Sequence, residues 1–235
     1  MEKLFYCLWR PETVSPEEFS QSLRTTLVEQ LEGLGAQGLR LFVADSDVAA
    51  GAGLRLSAEP AHKEAALSFW LEASQDRAEH EERIASIASR MAGYLVVESR
   101  PLLDASVREV RGERRPGWVQ VTGIVPRSGI SYDAFLRHWY DVHRDLAIET
   151  QSSTRYVRNE VVRPLTEGAP EWAAIVEETF PLGALSDPHI FYDAEGSDER
   201  LRENSTRMIE SVQVFLDISQ VDAHPMSEYV FGGER

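Results

Sequence analysis

The chain has 235 residues, 43% of them hydrophobic, and a formal net charge of −15. This length allows one large domain or two domains of about 115 residues. The acidic balance argues against nucleic-acid binding, which needs Lys and Arg to neutralise phosphates, and against binding to an anionic membrane surface.

The single cysteine, Cys7, makes an intrachain disulfide impossible and suits a reducing compartment. It lies within an apolar segment that predicts a buried strand, which favours a core thiol over a nucleophile. The chain shows no recognisable signal peptide and no apolar run of membrane-spanning length. We therefore expect a cytoplasmic protein.

The hydrophobic pattern of residues 1–104 predicts the element order β-α-β-β-α-β. Runs rich in apolar and β-branched residues indicate strands, and apolar residues three and four apart indicate helices. The predicted strands lie near 3–10, 37–46, 65–73 and 93–99, and the predicted helices near 15–33 and 76–91. An arginine-rich segment with glycine and proline, 105–116, predicts a linker.

The same order is predicted for residues 117–235. The predicted strands lie near 117–125, 154–163, 172–179 and 210–218, and the predicted helices near 131–150 and 197–208. The chain is therefore predicted to belong to the α+β class, with two units of equal design.

The helix that begins after Ser131 carries the most informative pattern. Phe135, Trp139 and His143 recur every four residues and share one helix face, and Ser131 is a favourable N-cap. An apolar stripe that ends in a titratable group is compatible with a catalytic pocket. It is equally compatible with a core histidine that hydrogen-bonds a carbonyl oxygen.

Residues 117–219 resemble the EthD family. The motif F-x-x-x-W-x-x-x-H after a Gly-Ile-Ser turn carries the resemblance, together with the segments 155–159, 191–192 and 215–217. The resemblance implies a dimeric α/β barrel, in which two ferredoxin-like units pair their sheets. The wider superfamily includes cofactor-free polyketide cyclases, lactone isomerases, decarboxylases and monooxygenases.

The two halves can be aligned with each other. A shift of 116 positions places 14–19 on 130–135, and a shift of 117 places 88–91 on 205–208. This register predicts a tandem duplication that gives a single-chain pseudo-dimeric α/β barrel. Such a barrel needs no partner chain, although barrels could still associate through their outer surfaces.

The first half provides an internal comparison for the helix motif. Leu23 and Leu27 occupy the positions of Trp139 and His143. Both leucines would fill a core, so the scaffold does not require Trp or His there. We therefore expect one working pocket, in the C-terminal half. His138 is predicted to lie off the buried stripe, because it precedes His143 by five residues.

The predicted strand near 154–163 supplies two further candidates. Tyr156 and Asn159 are predicted to lie on opposite faces of this strand. Either could stabilise a substrate oxygen, whereas Tyr156 could also be a core residue. Phe191 and Tyr192 could line the cavity mouth or anchor an ordinary loop, and His189 is left without a role.

These features lead to a first hypothesis, a cofactor-independent enzyme that acts on a small aromatic, lactone or polyketide-like metabolite. His143 would be the general acid or base, with Tyr156 or Asn159 stabilising an enolate-like intermediate. Phe135, Trp139, Phe191 and Tyr192 would contact the substrate. No nucleotide-binding, hydrolase or metal-site motif is present, so neither a cofactor nor a metal is expected. The alternatives are a non-catalytic binding or accessory protein for a hydrophobic metabolite, and a cofactor-free monooxygenase.

Overall fold

The computed structural model of the protein describes residues 1–59, 61–104 and 106–232. Positions 60, 105 and 233–235 lie outside the described residues. The predicted linker is therefore described from residue 106 onward, and the predicted C-terminal unit up to residue 232.

The first half follows the predicted element order. A long helical stretch is interrupted by one π-helical segment, π1, between α1 and α2. The elements are β1 (Glu2–Trp9), α1 (Pro16–Ser22), π1 (Leu23–Leu27), α2 (Val28–Gly33), β2 (Gln37–Val43), β3 (Ala65–Leu71), α3 (Ala78–Ala85) and β4 (Arg90–Leu102). Short 3₁₀ helices at Ser46–Leu54 and Ser74–Arg77 fill two of the connections.

The second half repeats this order and also contains a π-helical segment, π2, in its first helix. The elements are β5 (Trp118–Ile124), α4 (Tyr132–His138), π2 (Trp139–His143), α5 (Arg144–Thr150), β6 (Arg155–Pro164), β7 (Ala174–Phe180), α6 (Pro188–Phe191), α7 (Asp198–Phe215) and β8 (Asp222–Val230). Short 3₁₀ helices lie at Leu182–Leu185 and Ile218–Gln220.

The eight strands form one closed antiparallel barrel in the order β1-β3-β2-β8-β5-β7-β6-β4. Within it, β4-β1-β3-β2 from the first half and β8-β5-β7-β6 from the second follow the same relative order. The halves meet where β2 pairs with β8 and where β4 pairs with β6. The α+β class and the barrel are thus confirmed, and closure leaves no open sheet edge.

Helices cover the outside of the barrel and bury a separate apolar core in each half. In the first half, Phe19, Leu23 and Leu27 pack on the outer sheet face. In the second, Phe135 and Trp139 pack there. The barrel interior holds a third core and a set of buried ion pairs. Because both faces of most strands are buried, alternation of polar and apolar residues is weak along them.

Two predicted elements differ from the structure. The helix predicted at 76–91 ends at Ala85, and Met91 lies in β4. The strand predicted at 210–218 is the last part of α7, where Met208, Val212 and Phe215 share the helix face toward the core. Consequently the alignment of 88–91 with 205–208 pairs a turn and strand start with a helix.

The sequence pattern does not predict the final strand, β8. Its interior-facing side chains include Asp222, His224 and Glu228, which are 7%, 1% and 1% exposed. Charged and polar residues on a buried strand face do not produce the apolar pattern by which strands are recognised. The sequence pattern therefore predicts a strand in the neighbouring apolar run, 210–218, instead.

Candidate functional site

Three polar side chains form a row across the outer face of the second half-sheet. Gln120 on β5 pairs with Glu178 on β7, which pairs in turn with Tyr156 on β6. Residues directly opposite on antiparallel strands project from the same face. The row therefore forms one wall beneath the helices of this half.

The opposite wall begins with π2. The Ser131 hydroxyl accepts a hydrogen bond from the Ala134 amide and caps α4, as predicted. After α4 the helix widens, and the Arg144 amide bonds to the Trp139 carbonyl five residues earlier. Such single π turns inside α-helices frequently occur at functional sites. This turn carries Trp139 and His143 toward the sheet.

A cavity of about 280 Å³ lies between these walls. Its lining combines the polar row with aromatic and aliphatic side chains of π2, α7 and the loops. The lining residues are Leu56, Gln120, Thr122, Ile124, Trp139, His143, Gln151, Tyr156, Val176, Glu178, Phe191, Tyr192, Met208, Ile209, Val212, Phe215, Leu216, Ile218, Val221 and Ala223. A largely apolar pocket with a few polar groups is typical of a small-molecule site.

His143 is 7% exposed and lines this cavity. Its Nδ1 lies 3.1 Å from the Ser211 hydroxyl, and its ring packs 4.8 Å from the Phe215 ring. Burial, reinforced by the positive charge that His138 can carry, lowers the pKa of His143 to about 4. His143 is therefore neutral near pH 7.

His138 shares the hydroxyl of Ser211 with His143. Its Nε2 lies 3.1 Å from the Ser211 oxygen, and its ring packs 5.2 Å from Phe215. His138 is half-buried, which agrees with its predicted position off the buried stripe, but the sequence does not predict that it shares Ser211 with His143. In an α-helix residues five apart diverge, whereas the π turn brings them onto one side. The hydroxyl between the two rings connects the cavity with a half-buried histidine.

Tyr156 is fixed by an aromatic partner. Its hydroxyl accepts a hydrogen bond of 2.8 Å from Trp139 Nε1, and both residues are 1% exposed. Burial raises the pKa of Tyr156, so its hydroxyl stays protonated. The Tyr156 hydroxyl retains its own proton for donation toward the cavity.

Glu178 is one of four polar cavity residues that the sequence does not predict, together with Gln120, Thr122 and Gln151. The Oε1 atom of Glu178 is buried and has no hydrogen-bond partner among the described residues. Burial raises the pKa of its carboxyl to about 7. Thr122 Oγ1 and Gln151 Oε1, which also line the cavity, likewise lack partners within the described chain. Buried polar atoms are normally paired, so the three mark places where a ligand or water would bond.

The loop around α6 closes one side of the cavity. Phe191 stacks on Phe180 at 4.7 Å, and Tyr192 contacts Phe191 edge-on at 5.0 Å. The Tyr192 carbonyl accepts a 2.7 Å hydrogen bond from Asn204 on α7. Both predicted aromatics therefore line the cavity while anchored to the rest of the fold.

Three other candidates lie elsewhere. Phe135 is fully buried and packs behind Trp139 at 5.6 Å, in the core and not in the cavity lining. Asn159 faces the barrel interior, where it accepts a 2.7 Å hydrogen bond from Lys3 and donates one of 2.9 Å to Glu177. It cannot serve the same pocket as Tyr156, since the two lie on opposite faces of β6. His189 is at the surface, 2.8 Å from Asp198.

The first half fills the equivalent place with apolar side chains. Leu4 pairs with Phe69 as Gln120 pairs with Glu178, and both residues belong to the packed outer core. Leu23 and Leu27 of the same core form π1, at the positions of Trp139 and His143. The cavity of the second half is thus lined by polar groups at places where the first half has packed apolar side chains.

The described residues hold no group of three or more His, Cys, Asp or Glu side chains arranged to bind a metal ion. Among those same residues, no helix has the apolar length that a bilayer crossing requires.

Comparison with known proteins gives one family match. The EthD domain model matches residues 127–206, which include π2, β6, β7 and the start of α7. A search of curated proteins gave no match.

Solved structures share the fold at low identity. An anthrone oxidase-like protein is 11% identical with a TM-score of 0.57, over 100% of this chain and 94% of its own. A "putative monooxygenase" of Fusobacterium nucleatum subsp. nucleatum ATCC 25586 is 10% identical with a TM-score of 0.50, over 98% and 91%. A mutant chlorite dismutase from Candidatus Nitrospira defluvii is 11% identical with a TM-score of 0.45, over 99% and 91%. The first two likenesses show a shared barrel fold, and the match to the EthD domain model lies within the C-terminal half of this chain.

Proposed function

We propose that the protein is a cofactor-independent enzyme whose active site is the cavity of the C-terminal half. The observation that carries this proposal is a difference in side chains between the equivalent places of the two halves. Leu4, Phe69 and Leu27 pack in the first half, whereas Gln120, Glu178 and His143 line an open cavity in the second. Replacing packed apolar residues with polar groups around a cavity lowers stability, which is typical of functional sites.

His143 would act as the base. Its Nδ1 faces Ser211, which leaves Nε2 for a substrate when the Nδ1–H tautomer donates to the serine. A pKa near 4 makes it a weak base that is always available near neutral pH. The substrate proton that it removes must therefore be acidic, such as a proton on the carbon beside a carbonyl group or the hydroxyl proton of a phenol.

The cavity wall supports a planar, mostly apolar substrate. Trp139, Phe191, Phe215 and Val176 provide flat or aliphatic surface. The Tyr156 hydroxyl would bond to a substrate oxygen and stabilise negative charge that develops there. A small aromatic, lactone or polyketide-like molecule combines these properties, and isomerisation, cyclisation, dehydration or decarboxylation would use the same groups.

A second candidate, a binding or accessory protein, is favoured by the low basicity of His143. A neutral imidazole that only accepts a hydrogen bond would hold a ligand without converting it. The shared fold of an anthrone oxidase-like protein supports testing oxygen-dependent turnover as well.

The experiment compares His143→Leu, which copies Leu27, with wild-type protein and with His189→Leu as a surface control. A panel of hydroxyaromatic compounds and lactones is tested for binding and conversion, with and without oxygen. We expect His143→Leu to lower conversion by roughly 10²–10⁴-fold while the fold and ligand affinity are retained. Undiminished conversion by His143→Leu would refute the proposed role, and binding without conversion by wild-type protein would favour the accessory role.

We also propose that the chain is a tandem duplication of one ferredoxin-like unit, 1–104 and 117–235 joined by a linker. In support, Ser15 and Ser131 cap the first helices, and π1 and π2 begin eight residues after each cap. The strand order within each half is also the same. A shift of 116 positions relates the two caps and the two π segments.

A further inference from the structure

Glu178 lies in the cavity without a cation. On the sheet it lies between Gln120 of β5 and Tyr156 of β6, and it shares the cavity lining with His143 of π2, Tyr192 and Gln151. No Lys or Arg lines this cavity among the described residues. The carboxyl therefore has neither a counter-ion nor a partner for Oε1.

Glu177, the residue before Glu178, is a buried carboxylate whose charge is compensated by neighbouring groups. Glu177 faces the barrel interior, where Lys3, Asn159 and Arg155 lie within 3.3 Å of its oxygens. These partners lower the pKa of Glu177 to about 2, whereas burial without partners raises that of Glu178 to about 7. The pKa values of two successive carboxyls, which lie on opposite faces of one strand, thus shift in opposite directions.

The lining also carries no fixed charge that an anion could use. With His143 neutral and Glu178 protonated, both groups are uncharged between about pH 4 and about pH 7. A carboxylate ligand would meet no positive group and would approach a second carboxyl. A neutral ligand with an acceptor oxygen would instead receive a hydrogen bond from the protonated side chain.

We propose that Glu178 is the acid of this site, and that the cavity selects neutral planar molecules whose carbonyl oxygen accepts its proton in a hydrogen bond. This inference rests on the proposed function and adds the substrate class. In the reaction, His143 would take the proton from the carbon beside the carbonyl, and the C–H electron pair would form a C=C bond. Glu178 would give its proton to the carbonyl oxygen, producing a neutral enol. When the substrate carries a C=C bond β,γ to its carbonyl, this enol is a conjugated dienol. His143 would return its proton to the γ-carbon while the enol hydroxyl returns its proton to Glu178, which re-forms the C=O bond, leaves the C=C bond α,β to the carbonyl and restores both residues.

Binding of two probes tests this selectivity without requiring turnover. 1-Tetralone is a neutral ketone that can only accept a hydrogen bond, and 1-naphthoate is an anion with a similar ring system. Calorimetric titrations of wild-type protein, Glu178→Gln, Glu178→Leu and the surface control Glu210→Gln would be run from about pH 5.5 to about pH 8.5.

We expect wild-type protein and Glu210→Gln to bind 1-tetralone best at low pH. Their affinity should fall toward tenfold per pH unit once Glu178 ionises. Glu178→Gln keeps an N–H donor and should bind with little pH dependence, whereas Glu178→Leu should bind at least about tenfold more weakly at low pH. 1-Naphthoate should bind more weakly than 1-tetralone throughout. Absent or pH-independent binding of 1-tetralone to wild-type protein, or tighter binding of 1-naphthoate, would overturn the proposal.

Infrared difference spectra provide a measurement that does not depend on a ligand. The spectrum of wild-type protein minus Glu178→Gln should show a protonated carboxyl band at about pH 6 that disappears by about pH 8.5. An ionised Glu178 at the lower pH would overturn the proposal. Neither measurement requires catalytic conversion. The titrations and the spectra therefore test the role of Glu178 separately from the proposed enzymatic activity.

Discussion

At the scale of single residues, the cavity reverses the usual order of titration. In water a glutamate loses its proton before a histidinium does. Here burial places the pKa of His143 near 4 and that of Glu178 near 7. Between these values the base is unprotonated and the acid protonated, so both are in the reactive form. Pairs of groups whose environments separate their pKa values in this way are typical of acid–base sites.

The stability of Glu178 variants should depend on pH in a defined direction. The folded-state pKa lies above the unfolded value of 4.5, so this carboxyl favours folding below pH 4.5 and loses that contribution as pH rises through about 7. Glu178→Gln should therefore gain stability relative to wild-type protein over that window, by up to about 1.4 kcal/mol per pH unit. Urea unfolding at several pH values measures this, with Glu210→Gln as control. A gain that grows toward low pH would contradict the assignment.

The sequence predicted five residues that line the cavity, namely Trp139, His143, Tyr156, Phe191 and Tyr192. It did not predict Glu178. Since Val176, Glu177 and Glu178 lie in a strand buried on both faces, alternation alone cannot show which glutamate faces the helices. Only the pairing with Gln120 and Tyr156 resolves that choice.

At the scale of elements, the π segments decide how the helices meet the sheet. A sequence pattern read at 3.6 residues per turn cannot reveal a wider turn. It correctly placed Phe135, Trp139 and His143 on the buried side. It does not predict that His138 and His143 meet at Ser211, because the π turn brings residues five apart together. Strand β8 escaped prediction for a different reason, since its buried face is charged.

The helix caps provide a prediction at this scale. The Ser15 hydroxyl caps α1, and Glu18 reaches back to the Ser15 amide to complete a capping box. Ser131 caps α4 without such a box. Removing either hydroxyl leaves helix amides unpaired, so Ser15→Ala and Ser131→Ala should each cost about 1 kcal/mol of unfolding free energy. Chemical denaturation measures both, with Ser205→Ala, a substitution in the middle of α7, as control. A loss no larger than that of the control would contradict the assigned capping role.

At the scale of the whole molecule, the halves are joined by more than two strand pairings. Lys3 of the first half bonds to Asn159 and Glu177 of the second inside the barrel, and also to Glu98 on β4. Arg40 of the first half donates a hydrogen bond of 2.5 Å to Glu228 of the second. These buried charges compensate one another only when the barrel is closed. The halves should therefore unfold together.

Lys3→Met tests this coupling. It removes the cation between Glu98 and Glu177 and leaves their carboxylates less compensated in a buried place. We expect a loss of about 3–5 kcal/mol, with one unfolding transition seen by both fluorescence and circular dichroism. Arg111→Met, at an exposed ion pair with Glu32, should change stability by less than about 1 kcal/mol. Separate transitions for the two halves would contradict the coupling.

The most direct test of the functional assignment replaces polar side chains that line the cavity of the second half with the apolar side chains at the equivalent places of the first half. The triple variant Gln120→Leu, His143→Leu and Glu178→Phe copies Leu4, Leu27 and Phe69. The measurement is the calorimetric affinity for 1-naphthol, a neutral bicyclic phenol, at about pH 6, where Glu178 is protonated. We predict that wild-type protein binds 1-naphthol and that the folded triple variant does not. Equal affinity of the two proteins would contradict the assignment of this cavity as the functional site.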